Sequence, residues 1–312
     1  MKNVKFKSIS LAELKTVFGI LIAMGITRMS DMRDHWSKRR FMGTPDIADA
    51  ITYNRFSEIK TAIRFYDKRS KDNSSDVYKV KSILERIPTI SKQLYTPSKH
   101  LSVDQSLVAF KGRSKFLLYM PLKSAKYGLK YFVVAEAKTG FMLDWRFFTT
   151  SNIVAHPFSE NIVLDLTSYL QQNSGYHIYT DNFYTSLNLA YNLMNRGLGF
   201  TGVVRRNRKC VPSQLKNIDK VNKGPVYLRN HSSHQSRRLC FAGWQDNKTV
   251  LALSSVYGPG SSDITRRDRH TSGGHKIISM PDLISEYNQY MGGVDRLDQK
   301  LSYQHFEHST KN

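Results

Sequence analysis

Four aspartates stand where a carboxylate is more than solvated surface. Asp104 lies inside an alternating apolar run. Asp181 follows a short apolar segment and precedes a helix-like one. Asp295 comes just after Gly292-Gly293 at a helix start, and Asp298 is three residues on, on the same helical face. Each has an ordinary reading: Asp104 on a half-exposed strand, Asp181 with Asn182 as helix N-cap residues, Asp295 complementing a helix dipole. As a set they suit phosphodiester chemistry. In-line displacement at phosphorus needs an attacking water or 3′-hydroxyl activated and a leaving oxygen stabilised, and two Mg²⁺ (or Mn²⁺) ions about 4 Å apart do both. Hard cations take carboxylate oxygens, and clustered carboxylates repel one another without them.

The rest of the composition points the same way. The 312 residues carry 47 Lys+Arg against 25 Asp+Glu, a formal charge of +22, which attracts polyanions and puts nucleic acid first among partners. The 2 cysteines, Cys210 and Cys240, exclude a disulfide scaffold or a Cys-rich zinc module within this chain. His231, His234, His270 and His275 share a Ser/Gly-rich stretch with them, but the spacing fits no usual zinc pattern and reads as surface histidines. Lys2, Lys5 and Lys7 precede an uncharged run over 16–26, yet Glu13 and Lys15 interrupt the approach and no cleavage site follows. The run is too short to span a bilayer, which takes about 20 residues. Ser10 with Glu13 makes a capping box, so a buried helix is expected there. Neither a membrane partner nor a small-molecule cofactor is expected.

The elements that would carry the acids follow from periodicity. Helices are expected over 11–26, 48–65 and 77–94, the last with Pro88 as a kink or break, and 68–75 reads as a charged linker. At Leu101 the period changes from about 3.6 to 2. Strands are expected over 101–108, 131–137 and 141–148, the last two joined by a Lys138-Thr139-Gly140 turn. A helix over 161–172, a strand over 176–180, a helix over 187–194 and a strand over 201–204 follow. Short strands near 226–228, 238–244 and 249–256 suggest a β-rich insertion, closed by a basic loop over 265–276. Helices begin at Pro281 and at Val294, either side of Gly292-Gly293. This is an α/β layout around a mixed sheet.

The residues around the acids are more specific than the acids. Leu101-Ser102-Val103-Asp104, Phe110-Lys111-Gly112-Arg113, Lys123 and Lys126-Tyr127-Gly128-Leu129-Lys130 resemble the first catalytic block of piggyBac-type transposases. Tyr179-Thr180-Asp181-Asn182-Phe183-Tyr184-Thr185-Ser186 is similar to the second, and Tyr287-Asn288 with Met291-Gly292-Gly293-Val294-Asp295 and Asp298 to the third. Further likeness occurs over 11–26, at Arg33-Asp34-His35-Trp36, at Arg55-Phe56 and at Thr201-Gly202-Val203-Val204-Arg205, so it runs over nearly the whole chain.

The resemblance implies an RNase H-like α/β fold and a metal-dependent transposase that excises DNA through 3′-hydroxyl attack and inserts it at TTAA. Asp104, Asp181 and Asp295 would bind two metal ions, with Asp298 an accessory catalytic acid. Lys111, Arg113, Lys123, Lys126, Lys130, Arg205 and Arg206 would hold phosphates of double-stranded DNA, at the transposon ends. Residues 1–98 would form a helical dimerisation and DNA-binding region of a homodimer. Residues 99–209 would be the first part of the catalytic domain, 210–275 the insertion, and 276–312 its truncated final part. Gln105 stands where the family usually has Glu, but it points to the opposite strand face from Asp104. Ser124 replaces a usual Pro. The family's acidic N-terminal segment, its aromatic-basic helix after the third block and its C-terminal zinc module are expected to be absent, which reads as a fragment or decayed copy. Two further functions compete with an active core: a catalytically silent, element-derived DNA-binding protein, and a metal nuclease without strand transfer. Lys38-Arg39-Arg40 and the run 205–209 suit nuclear import.

Overall fold

The computed structural model describes residues 7–27, 29–67, 77–121, 123, 125–149, 158–216, 218, 225–231, 238–245, 248–268 and 274–303. The chain divides into two compact units, one of residues 1–85 with 299–312 and one of residues 86–298.

The first unit is helical. Helix α1 (Leu11–Ile26) opens on the expected capping box, Ser10 and Glu13 each bonding the other's backbone N–H. It buries Val17, Ile20 and Met24 against Ile47 of α2 (Pro45–Ala50) and Phe56 and Ile59 of α3 (Tyr53–Ala62). The region expected as one helix over 48–65 is therefore two. Ile51 and Thr52 are extended, and the Thr52 hydroxyl accepts from the Arg55 N–H to start α3. Two β-branched residues in succession and a good N-cap explain the break. The Trp36 indole N–H donates to the Ile51 carbonyl at 2.7 Å, pinning the break, and Arg55 ties α3 to α1 through Glu13 at 2.9 Å.

The second unit holds a mixed sheet with helices on both faces, as the α/β reading required. Helix α4 (Lys81–Leu94) continues through Pro88 without a break and ends in this unit, where Lys92 pairs with the buried Asp144 at 2.8 Å. Strands β1 (His100–Ala109), β2 (Leu117–Tyr119), β3 (Tyr127–Glu136) and β4 (Met142–Phe147) pair antiparallel through β3. Helix α5 (Phe158–Leu166), strand β5 (His177–Thr180), helix α6 (Leu187–Asn195) and strand β6 (Gly199–Val203) follow, with β5 parallel to both β1 and β6. After the short helix α7 (Ser213–Lys216), strands β7 (Pro225–His231), β8 (Arg238–Gln245) and β9 (Thr249–Ser254) extend the same sheet, giving the order β2-β3-β1-β5-β6-β9-β8-β7. The basic stretch expected as a loop over 265–276 lies partly in a separate antiparallel pair, β10 (Ser261–Arg267) and β11 (His275–Pro281). Residues 269–273 lie outside the described residues. Helices α8 (Asp282–Tyr290) and α9 (Gly293–Ser302) close the chain.

Alternation along the strands sorts the two faces. Leu101, Val103, Phe132, Val134, Ile178 and Phe200 form the main core with Ile162, Val163 and Leu166 of α5 and Leu189 and Leu193 of α6. The opposite face is covered by α8, whose Leu283 and Ile284 pack on Ala242 and Ala252, and by α9, whose Val294 packs on Val133 and Ala135. That second face carries the aspartates. Among the described residues no helix is long and apolar enough to cross a membrane.

Candidate active site

Strand register brings the first two acids together. The parallel pairing of β1 with β5 ends at Val103↔Thr180, so the next residues are Asp104, still within β1, and Asp181, just past the end of β5. Adjacent strands lie about 4.8 Å apart, and residues in parallel register face the same way. In β1 that face carries Ser102, Asp104 and Ser106; Gln105 belongs to the other, as expected for its position.

The third and fourth acids arrive on α9, which lies along this face. Gly293 at its start sits so close to β1 and β3 that a methyl built there would collide with the Ser102 Oγ and lie 3.0 Å from the Glu136 carbonyl oxygen. Further along α9, Asp298 accepts a 2.5 Å hydrogen bond from the Ser106 hydroxyl. The helix thus touches β1 on both sides of Asp104, with Asp295 in its first turn. The β3–β4 turn helps seat it. Gly140 has φ +70° and no room for a side chain beside Arg296, whose guanidinium donates to the Ala137 carbonyl at 2.5 Å. Upstream, α8 is fixed to the sheet: Tyr290 stacks on His100 at the start of β1 at 3.7 Å, and the hydroxyl of Tyr257, just past β9, donates to Glu286 at 3.0 Å.

The electrostatics match a shared site. Burial pushes the Asp104 carboxyl up to about 6, and the charges of Asp181 and Asp295 add to the rise, while the Gln105 N–H and Lys123 oppose it. Asp181 and Asp298 are also raised by burial. Backbone N–H groups of Phe183 and Tyr184 offset this for Asp181, and Ser106 and Lys123 for Asp298. Burial raises the Tyr287 phenol on α8 too, with Asp181, Asp104 and Asp295 contributing.

Local structure explains each acid's setting. Asp104 Oδ1 accepts from the Gln105 N–H at 2.7 Å. Asp181 is not the N-cap of the following helix. It closes a turn by accepting from the Phe183 N–H at 2.9 Å, and Ser186 caps α6 instead. Among the described residues, no three His, Cys, Asp or Glu side chains converge closely enough to hold one metal ion. The donor set nonetheless fits a hard divalent cation in type: carboxylate oxygens, half-buried at Asp104 and Asp181 and exposed at Asp295, with the charges of Asp181 and Asp295 both acting on Asp104.

The basic residues divide. Lys123 donates to the Gln105 carbonyl at 2.9 Å and lies 3.7 Å from Asp298. Lys130 is half-buried over the rings of Phe132, Phe148 and Phe183, and Arg205 donates to Asn182 at 2.8 Å, next to Asp181. Arg206 bonds the Lys216 carbonyl, and Lys111, Arg113 and Lys126 are exposed. Sequence reasoning passed over Ser106 and Arg208. Ser106 was available from the two-residue strand period counted from Asp104. Arg208, read only as part of the basic run 205–209, donates to the Phe183 carbonyl at 3.1 Å. Of the histidine and cysteine group, His234 and His270 lie outside the described residues, and both cysteines are free.

A mixed α/β sheet that carries aspartates on one face, in a strongly basic chain, suits a protein that acts on nucleic acid, and the comparisons give its family. Residues 1–312 match the family described as Transposase IS4, and the chain belongs to this family as a piggyBac-type member. It is 25% identical over 311 residues to human PiggyBac transposable element-derived protein 2, covering 96% of this chain and 51% of that protein. With human PiggyBac transposable element-derived protein 3 it shares 24% over 301 residues, covering 93% and 49%. It resembles a solved piggyBac transposase synaptic complex with hairpin DNA, with a TM-score of 0.73 and 27% identity, covering 97% of this chain and 62% of that one. The chain spans about half the length of these curated relatives.

Proposed function

We propose that this chain is a piggyBac-like transposase core that cleaves and joins DNA at a carboxylate site. In this reading the sheet is RNase H-like, and Asp104, Asp181 and Asp295 hold two Mg²⁺ or Mn²⁺ ions. What supports it is the strand register that ends the β1–β5 pairing at Val103↔Thr180, just before both aspartates, beneath the helix that carries Asp295. When bound, the ions would polarise the scissile phosphate and lower the pKa of an attacking water. The chain's own residues do the rest. Asp104 within β1 and Asp181 at the end of β5 fix the site to the sheet, and α9, seated through Gly293, completes it. The reaction forms a bond from a water or 3′-hydroxyl oxygen to phosphorus and breaks the P–O3′ bond, the departing oxygen ending as a 3′-hydroxyl.

Double-stranded DNA is the partner in this reading, with transposon ends and TTAA targets following from the family likeness. Lys111, Arg113, Lys123, Lys126, Lys130, Arg205 and Arg206 hold phosphates. The helical region of residues 1–98 serves a homodimer. The runs at 38–40 and 205–209 direct the protein to the nucleus. The test is cleavage or joining of labelled DNA by purified protein with Mn²⁺ or Mg²⁺. Asp181→Asn should abolish it, and activity that survives this change refutes the reading.

One observation favours a second reading, a catalytically silent DNA-binding protein: among the described residues no three acids converge on a single point. Salt-dependent DNA binding without metal-dependent cleavage would select it, each neutralised phosphate contributing about −0.9 to the log–log salt slope.

A further inference from the structure

Lys123 does not behave as a surface lysine. It belongs to the connection between β2 and β3, where a lysine would ordinarily extend its ammonium into water. Here the side chain is 29% exposed and bends onto β1, donating to the Gln105 carbonyl at 2.9 Å. That carbonyl is available because β1 loses its β5 partner after Val103. The N–H of the same residue, Gln105, donates to the Asp104 carboxylate, so ammonium and carboxylate are held by the backbone of one residue. A second anchor is Asp298, 27% exposed: its Oδ2 lies 3.7 Å from the Lys123 Nζ and its Oδ1 accepts from Ser106 at 2.5 Å. Both Asp298 oxygens are thus engaged by this chain, which leaves it poorly disposed as a cation ligand. A simple exposed ion pair would contribute little and would need neither Ser106 nor the Gln105 carbonyl.

We propose that Lys123 is a catalytic residue that stabilises the phosphate under attack, and that Asp298 and Ser106 are positioning residues that hold it there rather than members of the ion-binding set. This rests on the metal-centre reading above. An ammonium fixed beside the carboxylates meets the non-bridging oxygens of a phosphate drawn to that site, where negative charge grows during displacement. A preorganised charge in a half-buried site costs no reorganisation at the moment of reaction. Asp298 and Ser106 act only through the lysine.

The test compares the parent chain with Lys123→Met, Lys123→Arg, Asp298→Ala and the Lys123→Met/Asp298→Ala double variant. Three quantities are read: Mn²⁺ affinity by calorimetry without DNA, affinity for a labelled oligonucleotide duplex, and cleavage rate at saturating duplex. Lys123→Met should slow saturated cleavage about a hundredfold or more while duplex affinity falls less than about tenfold and Mn²⁺ affinity holds or rises. Lys123→Arg should recover part of the rate. Asp298→Ala should slow cleavage at unchanged Mn²⁺ affinity, and the double variant should be no slower than Lys123→Met alone, as expected for residues acting as one unit. A Lys123→Met rate within about threefold of the parent, or a duplex affinity that falls as far as the rate, overturns the proposal. So does Mn²⁺ affinity about tenfold weaker in Asp298→Ala, which would make Asp298 a ligand. A parent that binds no Mn²⁺ and cleaves nothing refutes the metal-centre reading itself, and this inference with it.

Discussion

Replacing Asp104 by Asn should make the metal-free protein more stable at neutral pH while removing its cation response. The fold holds this carboxyl in a setting that disfavours its charge: half-buried, with Asp181 and Asp295 nearby, its pKa raised from 3.8 to about 6. At 1.36 kcal/mol per pH unit that rise corresponds to about 3 kcal/mol, an upper value because the ion-free site can relax and admit water. A carboxyl whose folded pKa exceeds its unfolded one adds stability while protonated. The contribution is complete below 3.8 and is lost as pH climbs through about 6. At neutral pH the parent has therefore lost it. Asn keeps the shape and the oxygen that accepts the Gln105 N–H, without the charge.

The assay is urea denaturation of both proteins, with and without Mg²⁺, at neutral pH and below about pH 4. Asp104→Asn should gain about 1–3 kcal/mol at neutral pH without metal and nothing at the acidic end, where both side chains are neutral. Mg²⁺ at about ten times its dissociation constant should raise the parent by about 1.4 kcal/mol and leave the variant unmoved. A variant no more stable than the parent at neutral pH, or one that still responds to Mg²⁺, refutes the picture of a repulsive carboxylate cluster relieved by a cation.

Three other perturbations probe the scaffold. Gly293→Ala should cost about 1–3 kcal/mol by pushing α9 off β1, and Ser102→Ala in the same chain should recover part of it; equal melting midpoints of parent and Gly293→Ala would show that α9 is not seated as described. Asp144→Ala removes the buried carboxylate 2.8 Å from Lys92 and 2.7 Å from Arg146, leaving Arg146 its pairing with Asp165, and should cost about 1–3 kcal/mol in urea denaturation; a loss below about 1 kcal/mol would mean the network is solvated. Lys111→Ala and Lys126→Ala, both at exposed positions, should each reduce the salt slope of DNA binding by about 0.9, read by fluorescence anisotropy across a salt series; unchanged slopes would place the DNA elsewhere.

How much of the site could be read in advance depends on the range of the forces that build it. Asp104 and Asp181 stood out because one interrupts an alternating apolar run and the other directly follows a short apolar segment, and a strand's alternation fixes which face a residue occupies. The Gly292-Gly293 pair marked where a helix begins. It carried no information on what that helix would meet, because the contact with Ser102 joins residues far apart in the chain and depends on β3 and the Gly140 turn. The strands over 261–267 and 275–281 escaped for the opposite reason: the first is exposed almost throughout and the second grades from exposed to buried along its length, so neither has the alternation that betrays a half-buried strand. The helix expected over 48–65 failed at Ile51-Thr52, where capping by Thr52 and the Trp36 bond to Ile51 prevail over a continuous apolar stripe.

That division bears on what the aspartates can do without a cation. The three carboxylates are delivered by elements stabilised elsewhere: β1 and β5 by the main core, α9 by Val294 and Leu297 on Val133 and Ala135. Apolar burial at roughly 25 cal/mol per Å² is indifferent to the charge state of the site. The scaffold can therefore hold mutually repelling acids in place at neutral pH. Substitutions at Asp104, Asp181 or Asp295 should consequently leave the fold intact while changing the chemistry. Circular dichroism of the three Asn variants should overlay on that of the parent, and collapse of any one of them would mean that the carboxylates hold the sheet together.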